Sequence, residues 1–96
     1  MSAHLRRVAV VSAARTPIGR FLGSLSGVSA VDLGIAAARA AIERSGLQAL
    51  VIGETVFGNA RQAGNAPNPA RQISVRAGVP VEAPAMTINQ ACGSGL

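Results

Sequence analysis

Apolar positions along the chain change their pattern four times, and each change marks a new element. Val8-Ala9-Val10-Val11-Ser12-Ala13-Ala14 is continuously apolar and β-branched near its start. That is the pattern of a strand buried on both faces of a parallel sheet, predicted over 8–14. Arg15-Thr16-Pro17-Ile18-Gly19 ends the run, because proline lacks a donor and fixes φ, and a Gly- and Ser-rich loop continues to about Val28. The period then becomes helical. Val31, Ile35, Ala38 and Ile42 recur on one face, with Asp32, Ala36, Arg39 and Glu43 opposite. Ser29 and Asp32 have the spacing of a capping box, with Asp in the usual place of Glu. Gly46 is placed to close the helix, which is predicted over 30–45.

The segment 50–57 reads as a second strand interrupted by Gly53. Gly, Asn and Pro dominate 58–69, which is loop. Pro69 suits the first turn of a short helix over 70–77 that ends at Gly78. Pro84 precedes a third strand over 85–89, too apolar to leave on an open edge. Strand, helix, strand, helix, strand predicts an α/β fold with a parallel sheet and right-handed crossovers. Repeats, low-complexity tracts and domain linkers are absent, so 1–96 reads as one domain.

Composition modifies this picture in three ways. Apolar residues make up 49% of the 96, but two are Phe and none is Trp or Tyr. Small side chains suit tight helix-on-sheet packing, yet they leave little bulk for a self-sufficient core. The net charge of +5 comes from arginine alone. Those arginines are dispersed and no aromatic residues interleave with them, which argues against a nucleic-acid partner. A single cysteine excludes an internal disulfide, and no His/Cys cluster has metal-site spacing. Met1 to Arg7 lacks a signal-peptide core, and no apolar run reaches the ~20 residues that span a bilayer. The expectation is a cytoplasmic protein that binds neither membrane nor metal.

Candidate chemistry sits after the third strand, in Asn89-Gln90-Ala91-Cys92-Gly93-Ser94-Gly95-Leu96. A strand running into Cys-Gly-Ser-Gly predicts a sharp turn that presents Cys92 at a helix start, beyond the carboxyl end of a strand. There the positive end of the helix dipole favours a thiolate. Gly93 and Gly95 leave room for backbone and substrate, and free N–H groups suit a developing oxyanion. From these eight residues alone, a nucleophile and a small buried thiol are equally good readings of Cys92.

Three separated segments together resemble the thiolase family. Arg15-Thr16-Pro17-Ile18-Gly19-Arg20-Phe21 with Gly23-Ser24-Leu25 is similar to its opening block. Gly58-Asn59 through Asn68-Pro69-Ala70-Arg71-Gln72 resembles its second block, and the cysteine segment resembles its nucleophile signature. The resemblance implies a five-layered α-β-α-β-α architecture in the complete protein, with 1–96 as a partial N-terminal thiolase domain truncated after the nucleophile turn. It implies an acyl-CoA C-acyltransferase that carries out thioester Claisen condensation, or the reverse cleavage of 3-ketoacyl-CoA. Cys92 matches the acyl-accepting nucleophile, and its backbone N–H matches a donor of the oxyanion hole. Acyl-CoA and coenzyme A are the implied substrates, with no tightly bound cofactor, and the implied assembly is a homodimer or homotetramer with the 85–89 strand near a two-fold interface. The activating histidine, a second cysteine and the coenzyme A loop belong to downstream segments, so no cofactor-binding residue is assigned here and 1–96 alone is expected to be inactive. A ketoacyl-synthase-like condensing enzyme and a non-catalytic thiolase-like protein are the alternatives.

The remaining polar residues read more simply. His4 is expected to be a solvated terminal residue. Arg15 and Arg20 flank a Gly-rich loop and suggest a phosphate site, but the loop lacks a Gly-Lys-Ser/Thr ending, so structural salt bridges are the expectation. Asn65, Asn68, Arg71 and Gln72 serve loop and helix capping, with reach towards a partner subunit as the competing role. Phe21 and Phe57 are core residues.

Overall fold

A computed structural model describes residues 5–65 and 67–96; His4 lies outside them. The longest element is helix α1, Ala30–Ser45. The Ser29 hydroxyl accepts from the Asp32 N–H (3.1 Å), and Gly46 closes the helix in the left-handed region at φ 74°. Val31 is buried, and Asp32, Ala36, Arg39 and Glu43 all face solvent. Both ends and both faces are those expected from the sequence.

Strand β1, Thr55–Gly58, and strand β2, Ala85–Ile88, pair in parallel. Thr55 lies opposite Ala85 and Gly58 opposite Ile88. Helix α2, Pro69–Arg76, makes the crossover between them. A parallel pair joined through a helix is the unit of an α/β fold. Thr55 and Phe57 of β1 and Ala85 and Thr87 of β2 are half-buried, while Val56 and Met86 between them stay about half exposed. The Thr55 and Thr87 hydroxyls both bond to α2, so the first set faces the helix. Gly34 lets α1 close on this layer, since a Cβ there would overlap the end of Ile73. The Arg39 guanidinium donates to Arg76 O at 2.8 Å, tying the two helices. The core is small: Val31, Ala70, Ile73, Val79 and Ala83, with the Ser74 hydroxyl accepting from Thr55 at 3.1 Å.

Two strand expectations change. The expected strand over 50–57 begins only at Thr55; Ala49–Val51 is a 3₁₀ turn, with Leu50 and Val51 exposed. The cause lies across the ladder. Thr55 N–H donates to Pro84 O at 3.0 Å. In a strand a residue's N–H and C=O point the same way, so Pro84 turns a nitrogen with no hydrogen towards β1 and ends the pairing there. The run 8–14 is not a strand in the structure, and Val8 and Val10 are about 90% exposed, at 92% and 90%. Its pattern asks for strands on either side and cover on both faces, and the described sheet holds only β1 and β2. Instead Ser12, Ala14 and Thr16 are half-buried in alternation, and Val11 and Ser12 border a hollow beside Ala41, Ile42 and Ser45 of α1.

Candidate functional site

Cys92 follows β2 by four residues, beyond the carboxyl end of the parallel pair. The last ladder bond runs from Asn59 N–H to Ile88 O (2.9 Å). The chain then turns sharply: Gln90 has φ −118° and ψ 34°, and Ala91 takes the left-handed φ of 49°. Ala91–Gly95 forms a 3₁₀ helix, and Cys92 is a free, exposed thiol on it. The expected helix start is therefore a turn of five residues, too short to carry the dipole of a long α-helix. What it supplies locally is N–H groups.

Their accounting singles out one residue. Gln90 N–H donates to the Ser94 hydroxyl (2.9 Å), Ala91 N–H to Asn89 Oδ1 (2.9 Å) and Gly93 N–H to Gln90 O (2.9 Å). The Cys92 N–H has no partner among the described residues. The first N–H groups of any helical turn lack internal acceptors; here side chains satisfy Gln90 and Ala91 and leave Cys92 free. A nucleophilic atom and a free donor thus belong to one residue, which suits attack on a carbonyl whose oxygen gains charge.

The close approach expected of Gly93 and Gly95 is made elsewhere. A Cβ on Gly93 would meet only Gln90 Cβ at 3.6 Å, and one on Gly95 would meet nothing within 4 Å. A Cβ on Gly58 would overlap the Ser94 carbonyl, so it is the end of β1 that must be glycine for the turn to dock. Asn89 completes the docking, with Nδ2 donating to Ala60 O at 3.2 Å. Both residues escaped the sequence reading. An Asn two residues before a turn N–H is an Asx-turn signal and was there to be used; nothing local marks Gly58, because its neighbour lies 36 positions away.

The second polar group is structural. Asn68, itself left-handed at φ 39°, caps α2 through Oδ1 to Arg71 N–H (3.3 Å) and donates from Nδ2 to Ala85 O (3.1 Å). Thr87 donates to the same Oδ1 at 2.6 Å and accepts from Ala70 N–H at 3.0 Å. Arg71 donates to Ala83 O, Gln72 to the carbonyls of Asn65 and Pro67, and Asn65 to that of Arg61. These bonds answer to loop and helix capping. Two other expectations fail. Phe21 is 94% exposed instead of buried, since no described element covers its loop, whereas Phe57 is half-buried towards Gly34. Arg15 donates to its neighbour's carbonyl, Thr16 O (3.1 Å), in place of a salt bridge. Among the described residues no three His, Cys, Asp or Glu side chains gather as a metal site, and no helix is long and apolar enough to cross a membrane.

Residues 8–96 match the family model described as thiolase, N-terminal domain. An acetyl-CoA acetyltransferase of Pseudomonas aeruginosa is 47% identical over 92 residues, which are 96% of this chain and 23% of that protein. An acetyl-CoA acetyltransferase of Clostridioides difficile is 51% identical over 92 residues, 96% of this chain and 86% of its own length. Among solved structures, the Acat5 thiolase from Ascaris suum in complex with coenzyme A superposes with a TM-score of 0.86 at 46% identity, over 88% of this chain and 22% of that one. The chain spans less than a quarter of the length of the Pseudomonas relative.

Proposed function

The chain belongs to the thiolase family, and from that premise we propose that it carries the nucleophile of an acyl-CoA C-acyltransferase, with Cys92 as the residue acylated. The observation that carries this reading is the exposed Cys92 thiol on a turn where side chains take up the Gln90 and Ala91 N–H groups and the Cys92 N–H has no partner among the described residues. In the first half-reaction Cys92 Sγ attacks the thioester carbonyl carbon. An S–C bond to the enzyme forms, the bond to the coenzyme A sulfur breaks, and the thiol proton leaves with coenzyme A. The Cys92 N–H donates to the carbonyl oxygen while it is negatively charged. In the second half-reaction of condensation the acyl group passes from Cys92 to the α-carbon of another acyl-CoA, whose proton ends on the Cys92 sulfur. In the cleavage direction Cys92 Sγ instead attacks the 3-keto carbon and the C2–C3 bond breaks. The released α-carbon takes the thiol proton and leaves as acyl-CoA, and the acyl group passes to the sulfur of free coenzyme A.

The thiol proton needs a base. The sequence holds one histidine, His4, ahead of the described residues, and one cysteine; we infer that the base and the second proton-transfer group come from further chain of the kind its longer relatives carry. On this reading the active protein has the length of its longer relatives, and 1–96 alone does not turn over. Similarity to an acetyl-CoA acetyltransferase and to a coenzyme A-bound thiolase supports coenzyme A thioesters as substrates. The exposed Val56 and Met86 on the uncovered sheet face support further packing in a homodimer or homotetramer, proposed to be cytoplasmic.

The test is coenzyme A-dependent cleavage of a 3-ketoacyl-CoA by the full-length polypeptide and its Cys92→Ser variant. Loss of a covalent nucleophile is expected to lower kcat by about 10³-fold or more. A Cys92→Ser enzyme with kcat near wild type refutes the assignment.

A further inference from the structure

We propose that Asn89 is the positioning residue of the nucleophile turn. Its carboxamide fixes the chain as it enters the turn and occupies the Ala91 N–H, so that the Cys92 N–H is left free at the strand end. This inference rests on the role proposed for Cys92 and adds to it a residue outside the reacting atoms.

Ala91 has φ 49°, a region that L-residues other than glycine enter at a cost and hold only when their surroundings impose it. Relaxing to an ordinary helical φ would rotate the chain beyond Ala91 by roughly 110° and swing Cys92 away from its place at the strand end. The bonds that span Ala91, from Ser94 and Gly93, oppose this rotation, and Asn89 fixes the end from which it would start, with both ends of one side chain. Oδ1 accepts the N–H of Ala91 itself at 2.9 Å, and Nδ2 donates to Ala60 O at 3.2 Å, on the segment leaving β1. The first bond sets the local turn; the second ties that turn to a neighbouring strand rather than to solvent.

Ser94 closes the same turn from its other side. Its hydroxyl accepts from Gln90 N–H and donates to Ala91 O at 2.8 Å. With these bonds made, Gln90 and Ala91 have no N–H to offer a substrate oxygen, and Cys92 does. Asn89 therefore acts through backbone geometry and need not touch the substrate.

The two ends of the carboxamide separate by substitution. Asn89→Ala removes both bonds. Asn89→Asp keeps an oxygen for the Ala91 N–H and loses the donor to Ala60. The readout, in the full-length polypeptide, is the single-turnover rate of Cys92 acylation by a labelled short-chain acyl-CoA, alongside KM for that substrate. Asn89→Ala is expected to acylate about 10- to 100-fold more slowly, the cost of a displacement near 1 Å at a reacting group. KM is expected to stay within about threefold of wild type, because Asn89 is proposed to act on the placement of Cys92 and not on substrate binding. Asn89→Asp is expected to recover most of the rate. An Asn89→Ala rate within about twofold of wild type overturns the proposal, and so does an Asn89→Asp enzyme as slow as Asn89→Ala. Failure of the wild-type protein to acylate at Cys92 refutes the proposed function instead.

Discussion

One hydrogen atom at Gly58 separates the end of β1 from the carbonyl of Ser94. Backbone lies on both sides of that contact, so no side chain can move aside to admit a methyl group. Gly58→Ala is expected to push the Ala91–Gly95 turn off the sheet and to lower kcat/KM of the full-length protein by about 10- to 100-fold. The helix content seen by circular dichroism should stay unchanged, because the glycine lies in neither helix. Activity within about twofold of wild type would show that the turn docks without this contact. The strand and the turn that carry Cys92 were legible in the sequence, because their residues are all close neighbours, whereas the exposure of the thiol was not. Nor were the groups that hold it, since Gly58 and Ala60 meet the turn only once β1 and β2 have paired.

Among the elements, α1 shows what local information settles. Its apolar period, the Ser29 cap and the left-handed Gly46 all lie within one stretch of chain, and the predicted bounds of 30–45 hold in the structure. The predicted 70–77 and 85–89 are shifted or shortened by a single residue in α2 and β2. Pairing across the chain is what local pattern does not contain. The late start of β1 depends on Pro84, some thirty positions downstream, and the run 8–14 has a strand's composition without a strand beside it in the described sheet. The joint between α2 and β2 gives a direct test at this scale. Asn68 Oδ1 caps the helix and takes the Thr87 hydroxyl, while Nδ2 holds Ala85 O. Asn68→Ala loses a cap worth about 1 kcal/mol and about 1 kcal/mol for each lost neighbour bond. It also leaves alanine at φ 39°, in the left-handed region. A destabilisation of about 2–3 kcal/mol is expected in urea unfolding of the full-length protein. A shift under about 0.5 kcal/mol would mean that the network is solvent-replaceable.

At the scale of the whole molecule the chain is elongated. Its radius of gyration is 14.9 Å, against the roughly 12–13 Å of a compact domain of this size, and it extends 53 Å along its longest axis. Leu5, Val8, Val10, Ile18, Phe21 and Leu22 are all largely exposed, and both outer edges of the two-stranded sheet are open. Such surface favours association in water. Residues 1–96 expressed alone are therefore expected to exchange backbone amides rapidly outside α1 and α2, or to aggregate, and to show no coenzyme A-dependent turnover. Slow exchange throughout a soluble monomer would contradict the folding part, and turnover above background the catalytic part.

If Cys92 accepts the acyl group, the acyl group is found on it after reaction. The full-length polypeptide is incubated with isotope-labelled acetyl-CoA, quenched in acid, digested and mapped by mass spectrometry. Label is expected on the peptide containing Cys92, discharged by free coenzyme A and absent from a Cys92→Ala variant. Label on a different residue, or a Cys92→Ala variant that still forms the acyl-enzyme, would contradict it.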